Sequence, residues 1–573
     1  MAKFLAGLVA GLLIAVLSLL VLAVVLARFA ERPPEVARRS VLVVDLEGLI
    51  VEQPPVTIPL PFFEQRAPLT IVDLWKALRA ASTDSRISAI MLAPGRVDAG
   101  WGKLQEIRNG LERLRGSGKP VHAFLRNPST REYYLATAAG RISMPPEDLL
   151  DLKGLRAEVM YLRGTLDKIG VQVEIEHAGK YKDYGDMFTR TSMSPETREV
   201  LDSILDKVYA SLVESISAGR KRNEAEVRAI LDEGPFLSSR ALKVGLVDDL
   251  RYEDEAFSEL ERTVGAGRLA RIGVRDYIRA QGGGSESASS NRVAFVVGEG
   301  TITGHASSSL EGDAGLGAAA FIKLLRQVAE DRTIRGVIVR VDSPGGDSFA
   351  SDEIWREMNR LSRGKPLVVS MSDEAASGGY YISMTGDPVI AYPNTFTGSI
   401  GVVFGKANLR GLYEKLGVRK ELVTRGRYAA IDSDYVPLSE AARRKLREGV
   451  DDNYRAFVER VATARKRKFD EVEPLAQGRV WLGSQAKQNG LVDELGGLDR
   501  ALELIRQRAQ IPRGESVTLV PYPSRRSLLD RLFSRPAQAR IPNWLQSFLA
   551  RWPVESLSRG GFFRLMPYSI QVR

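Results

Sequence analysis

The chain has 573 residues, 44% of them hydrophobic and 27% charged, with a formal net charge of +10, and its length exceeds what one hydrophobic core fills, so two or more domains are expected. No cysteine and only three histidines exclude disulfides, thiolate chemistry and a histidine-rich metal centre. Basic residues dispersed among acidic ones exclude a nucleic-acid-binding arm and leave an anionic membrane surface as the better partner for the positive charge.

Residues Phe4 to Ala27 carry no charge and a single hydroxyl, Ser18. At about 1.5 Å per residue they exceed a hydrocarbon core of roughly 30 Å and predict a transmembrane helix. No small-x-small site follows; Arg28-Phe-Ala-Glu-Arg-Pro-Pro does, so residues 1–39 read as an uncleaved anchor and its juxtamembrane segment. Lys3 stands before the span and Arg28, Arg32, Arg38 and Arg39 after it, a charge balance that by itself keeps the C-terminal part in the cytoplasm.

Beyond the anchor, Ser40-Val-Leu-Val-Val-Asp-Leu reads as a strand and Leu69 to Ala81 as a helix with Leu74, Leu78 and Ala81 on one face. A strand at Ile87-Ser-Ala-Ile-Met-Leu, a helix from about Lys103 to Leu114 and a strand at Pro120-Val-His-Ala-Phe-Leu follow. This alternation predicts an α/β domain built of βαβ units on a parallel sheet.

The pattern then recurs. Tyr133-Tyr-Leu returns as Tyr380-Tyr-Ile, Gly118-Lys-Pro as Gly364-Lys-Pro, and Gly245-Leu-Val-Asp as Gly490-Leu-Val-Asp, at a near-constant offset of about 246 residues. Two tandem copies of one domain are therefore expected, over 40–278 and 292–510, joined by a Gly/Ser-rich linker at 279–291. The repeat stops after about Arg508. A tail at 511–573 remains, whose Leu528, Leu529, Leu532 and Phe533, then Trp544, Leu545, Phe548, Leu549 and Trp552, predict two short amphipathic helices, packed on the domain or lying on a membrane.

The chemistry is concentrated in the second copy. An apolar strand from Pro366 runs into Ala376-Ser377-Gly378-Gly379, and Tyr380 begins a helical pattern. A serine at such a turn meets the free N–H groups and positive dipole end of a helix, which stabilise developing negative charge. Arg340-Val-Asp-Ser-Pro-Gly345-Gly346 places a second glycine turn at a strand end, where backbone N–H groups can serve an oxyanion. In the first copy Thr130 stands opposite Ser377 and Arg131-Glu132 opposite the glycines, so that copy has lost the nucleophile.

A serine nucleophile needs a base. His305, in a Ser/Gly-rich loop, is the one plausible histidine, since His122 falls in mid-strand; the alternative is a lysine whose pKa burial brings toward neutrality. Gly179-Lys-Tyr-Lys182 in the first copy matches Gly426-Arg-Tyr-Ala429 in the second, which nominates Lys182.

Gly179-Lys-Tyr-Lys182, Met193-Ser-Pro, Ser-Pro-Gly-Gly, Ala-Ala-Ser377-Gly-Gly-Tyr-Tyr and Thr397-Gly-Ser399-Ile-Gly, in this order after an N-terminal anchor, resemble the long form of the signal peptide peptidase A (protease IV) family. The resemblance spans residues 1 to about 510 and the terminal Met566-Pro-Tyr-Ser. It implies two tandem domains of the Clp/crotonase superfold and a serine endopeptidase with a Ser/Lys dyad. It further implies a homotetramer that degrades membrane-released signal peptides on the outer face of the bacterial inner membrane, opposite to the side the arginines favour. Carried over, Ser377 is the nucleophile, Lys182 the base, Gly378 with Gly345 and Gly346 the oxyanion hole, and Ser399 the residue that orients the lysine. No metal or cofactor is implied. Asp183 and Asp186 flank the lysine, where a carboxylate would favour its charged form; both are expected to point away from Ser377. A crotonase-like acyl-CoA enzyme and a catalytically silent membrane scaffold are the competing readings.

Overall fold

The computed structural model describes residues 34–53, 68–265, 267–283, 289–304, 315–523 and 561–566, with six isolated positions among the first 18. All but those six positions of the expected span at Phe4–Ala27, the middle of the expected linker, His305 and the expected amphipathic helices between 528 and 552 lie outside the described residues. Among the described residues no helix is long and apolar enough to cross a membrane.

Two parallel sheets carry the α/β fold. The first runs in the order Ala270–Gly273, Ser40–Val51, Ile87–Asp98, Val121–Phe124, Arg141–Met144 and Asp249–Leu250, with every pair parallel. The second runs Val480–Leu482, Phe396–Gly398, Leu367–Ala376, Ile334–Ser343, Arg292–Glu299 and Thr518–Tyr522, parallel except at its first pair. Central strands such as Ile334–Ser343 are almost wholly buried, because helices cover both faces of a parallel sheet.

The two sheets repeat each other down to single hydrogen bonds. Tyr133 donates its hydroxyl to Leu246 O at 2.7 Å, and Tyr380 donates to Leu491 O at 2.7 Å. Arg220 pairs with Asp248 at 2.7 Å, and Arg465 with Asp493 at 2.5 Å. The repeat also reaches further than the sequence reading placed it. Thr518–Tyr522 joins Arg292–Val296 as Ala270–Gly273 joins Ser40–Val43, so the segment after 511 begins with a strand of the second sheet. Its Val-Thr-Leu-Val run is apolar and β-branched, and fits a strand.

A third sheet belongs to both copies. Its order is Leu316–Gly317, Ile302–Thr303, Gly345–Asp347, Gly561–Leu565, Val402–Asn408 and Gln172–Ala178. The strand Gln172–Ala178 of the first copy lies antiparallel on Val402–Asn408 of the second. Elsewhere the helix Trp101–Gly116 packs so closely on the second copy that a Cβ at Gly102 would fall 2.6 Å from Ser372 O. Across that contact the fully buried Arg340 meets Glu52, and Lys103 bonds Asp342 at 2.5 Å and Asp373 at 2.9 Å.

Candidate active site

Ser377 is the hinge between the strand Leu367–Ala376 and the five-residue helix Gly378–Ile382. Its backbone has φ +53° and ψ −111°, a conformation that costs a non-glycine residue roughly 1–3 kcal/mol and persists only where the surroundings hold it. They do so from two sides: Ser377 N–H donates to Gly398 O at 2.8 Å, and Ser377 O accepts from Tyr381 N at 2.8 Å. Behind the turn, a Cβ at Gly379 would come within 2.5 Å of Ser343 O, so the helix sits as close as it does because no side chain intervenes.

Lys182 reaches this turn from the first copy, on the loop after Gln172–Ala178, and is fully buried. Its Nζ lies 2.8 Å from Ser377 Oγ, 2.9 Å from Ser399 Oγ and 3.0 Å from Ser399 O. All three partners are neutral oxygens. Burial therefore holds the Lys182 pKa well below that of an ordinary lysine; the charge of Asp183 works against the shift and that of Arg564 with it. A neutral amine at this distance can accept the hydroxyl proton, which an ordinary ammonium cannot.

The flanking carboxylates are engaged elsewhere. Asp183 accepts a hydrogen bond from Thr197 Oγ1, and burial raises its pKa to about 7. Asp186 faces Arg190 at 3.6 Å.

Gly378 and the Gly345-Gly346 pair converge on the same corner. A Cβ at Gly378 would lie 3.0 Å from Gly345 Cα and 3.1 Å from Gly346 N. The Pro-Gly-Gly segment, expected as an open turn, is a short strand over Gly345–Asp347, with φ +101° at Gly345. It pairs with Ile302 on one side and with the C-terminal strand on the other. In the first copy the corresponding place is filled by Glu132, which is buried and accepts from Val97 N at 2.7 Å.

All six residues singled out by sequence, Ser377, Lys182, Gly378, Gly345, Gly346 and Ser399, thus fall in one buried cluster. His122 lies buried in the strand Val121–Phe124 of the first sheet. Sequence reading passed over the segment Gln477-Gly478-Arg479, which binds base and orienter together. Gln477 O accepts from Tyr181 N at 2.7 Å, Gly478 N donates to Ile400 O at 2.8 Å, and Arg479 O accepts from Ser399 N at 2.7 Å. A Cβ on Gly478 would strike Lys182 Cβ at 2.5 Å. A lone Gln-Gly carries no sequence signal; only its spatial position against Lys182 and Ser399 marks it.

A model of peptidase family S49 matches this chain twice, over residues 113–267 and 359–512. The chain is 33% identical over 502 residues to the chloroplastic serine protease SPPA of Arabidopsis thaliana, an alignment covering 86% of this chain and 72% of the relative. It is 32% identical over 459 residues to Protease 4 of Haemophilus influenzae, covering 77% and 74%. With Protease 4 of Salmonella typhi the identity is 29% over 545 residues, covering 90% and 86%. The doubled family match falls on the doubled sheets, and the chain belongs to peptidase family S49, in the long two-copy form of signal peptide peptidase A, and is a serine protease.

Proposed function

We propose that the chain cleaves peptides with a Ser377/Lys182 dyad. The observation that carries this is the 2.8 Å approach of a fully buried Lys182 Nζ to Ser377 Oγ. Neutral Lys182 takes the hydroxyl proton as Ser377 Oγ attacks the peptide carbonyl, and the lysinium then returns that proton to the leaving amine. Gly378 N–H and the Gly345-Gly346 backbone hold the oxyanion, donors worth about 3–4 kcal/mol each in comparable sites. Ser399 holds the amine toward Ser377 through its two contacts at 2.9 and 3.0 Å. Covalent labelling tests the assignment: a fluorophosphonate should modify Ser377 in the wild type and fail to do so in Lys182→Ala. Labelling at another serine, or undiminished labelling in the variant, overturns it.

The substrates we infer are cleaved signal peptides and other hydrophobic or unfolded peptides, met at the extracytoplasmic face of the membrane through an anchor at residues 4–27. The uncharged stretch Phe4–Ala27 supports the anchor. A reporter fused to the C-terminus, active only outside the cytoplasm, is expected to be active.

Assembly into a ring of chains, a homotetramer of Clp/crotonase-like domains, follows the same logic as the repeat. Within the chain, 172–178 pairs with 402–408 across the junction of the copies. Shifted by the repeat offset of about 247 residues, the equivalent segments are 419–425 and 155–161, neither of which forms a strand in the single chain. Leu422 and Val423 are 41% and 87% exposed there, beside Leu416 and Val418. Pairing 419–425 of one chain with 155–161 of the next repeats the internal junction and covers this apolar surface. Light scattering in detergent should give a tetramer, and a charged residue at Val423 should dissociate it.

A further inference from the structure

Lys182 stands four residues beyond the end of the strand Gln172–Ala178, which pairs with Val402–Asn408 of the second copy, Glu174 opposite Lys406 and Glu176 opposite Phe404. Side chains alternate along a strand, so Glu174, Glu176 and Ala178 share one face. That face lies against the helix Glu440–Ala464 of the second copy, where Ala178 packs in one cluster with Ala442 and Leu446. On this helix Arg443 and Arg447 are about one turn apart and stand over the two glutamates. Arg443 bonds both, Nη2 to Glu174 at 2.7 Å and Nη1 to Glu176 at 3.0 Å. Arg447 Nη2 donates to Glu176 at 2.9 Å. At the other end Lys406 Nζ lies 3.8 Å from Glu174 and donates to Val436 O at 2.7 Å, and both Glu174 oxygens accept from Leu438 N at 3.1 Å. Lys406 is fully buried, and both glutamates are buried. Lys406, Glu174, Arg443, Glu176 and Arg447 thus form one row of alternating charge across the junction of the copies.

The backbone ladder alone does not fix where this strand stops. A slip of two residues keeps the same face inward and remakes the same kind of hydrogen bonds, but it moves the strand by about 7 Å. Lys182 Nζ, now 2.8 Å from Ser377 Oγ, is then out of reach. The charges oppose the slip, because it leaves a buried glutamate or Lys406 without its partner. The other copy shows what the row adds. Ser194 and Ser439 cap equivalent helices, so Arg443 corresponds to Arg198 and Arg447 to Asp202. By the offset that relates Lys182 to Ala429, Glu174 corresponds to Glu421, Glu176 to Val423 and Lys406 to Val159. Three of the five charges are therefore confined to the junction that holds both Ser377 and Lys182.

We propose that this row is the register key of the active site: Glu174, Glu176, Arg443 and Arg447 are positioning residues that set Lys182 against Ser377 across the copies, and Lys406 anchors the buried end of the row. This rests on the Ser377/Lys182 reading above. The row acts on the base through the strand that carries it, so breaking it lowers kcat and changes KM little.

The test uses the full chain in detergent and a quenched fluorescent peptide that the wild type cleaves. Arg443→Ala with Arg447→Ala should lower kcat by about tenfold or more, with KM within about threefold. Glu176→Val, which copies Val423 and strands no buried carboxylate, should lower kcat by about threefold or more. Because the chain has no cysteine, a lock can be added. Val173 and Ala407 stand opposite each other. Alternation from the Met566–Pro344 bond through the Phe563–Val403 pair makes theirs a non-hydrogen-bonded pair, whose Cα separation of about 4.5 Å suits a disulfide. In the double alanine variant, Val173→Cys with Ala407→Cys should raise kcat by about fivefold or more when oxidised and lose that gain in dithiothreitol. Glu176→Val carries the same comparison if the double variant does not fold. A double alanine variant with kcat within about twofold of wild type, or oxidised and reduced forms that are equally slow, overturns the proposal. So does failure of the two cysteines to join in a chain with its native arginines, since the strands then lack this register. In each of these cases fluorophosphonate labelling of Ser377 that is lost in Lys182→Ala leaves the dyad standing. If Lys182→Ala is labelled as fast as the wild type, the dyad reading has failed and this one with it.

Discussion

Lys182 Nζ stands 2.8 Å from Ser377 Oγ although the two residues are 195 positions apart and belong to different copies of the repeat. Each copy has kept one half of the dyad, and Thr130 and Ala429 occupy the two lost places. Ser377→Ala and Lys182→Ala are each expected to lower kcat/KM on a peptide substrate by about 10³-fold or more, with the double variant no worse than either. Lys182→Arg should be as inactive as Lys182→Ala, because a guanidinium is not deprotonated in proteins. Circular dichroism and melting curves near those of the wild type separate this from misfolding.

The pH dependence follows from burial. Lys182 must be neutral to act, so kcat/KM rises with pH through the Lys182 pKa, and that limb should lie well below the usual lysine value of 10.5. Asp183, pushed up to about 7, carries its charge above that pH and there favours the Lys182 ammonium. Asp183→Asn removes this charge, so the limb is expected to move to lower pH. A limb that stays in place, or one at an ordinary lysine pKa, contradicts the arrangement.

Much of this was legible in the chain because it is written twice. The strands from Ser40, Ile87 and Val121 and the helices between them showed as periodicity, and the duplication allowed one copy to be read against the other, which set Ser377 and Lys182 apart from ordinary caps and surface lysines. What escaped was carried by contacts that no local pattern encodes. Gly478 matters because Lys182 lies against it, and Glu52 because Arg340 does, 288 positions away. The short run Phe562-Phe-Arg-Leu has the composition of many strands, and only the register with Gly345-Gly346 gives it meaning. Sequence similarity between the copies fades near Arg508 because Thr518–Tyr522 and Ala270–Gly273 share a position in the sheet and little sequence.

Gly478→Ala tests whether the base is held from behind. Gly478 has φ +75°, and a Cβ there would lie 2.5 Å from Lys182 Cβ and 2.6 Å from Lys182 N. Backbone atoms cannot rotate away, so the loop carrying Lys182 must shift. Loss of alignment by about 1 Å is enough to lower the rate by roughly 10²-fold. The expected outcome is a fall of that size in kcat with KM changed far less, in a protein destabilised by about 1–3 kcal/mol. Unaltered kcat would mean that the segment Gln477–Arg479 does not position the base.

Arg340→Ala is expected to act on stability through the buried junction of the copies. Arg340 and Glu52 side chains are both fully inaccessible, and the guanidinium also donates to Ser370 Oγ and Ser372 Oγ at 2.9 Å each. Removing the arginine leaves the Glu52 carboxylate buried without its counter-charge, which typically costs about 3–5 kcal/mol. Replacing both, as Arg340→Met with Glu52→Leu, removes the stranded charge as well as the pair. The double variant should therefore melt above the single Arg340→Ala, and a double-mutant cycle by denaturant unfolding should give strong non-additivity. Simple additivity would mean that the two charges do not act as a pair. Because Arg340 lies on the strand Ile334–Ser343, which leads into Gly345-Gly346, the single variant should also lose activity in proportion to how far that strand end is displaced, whereas the double variant, with its core refilled, should recover part of it.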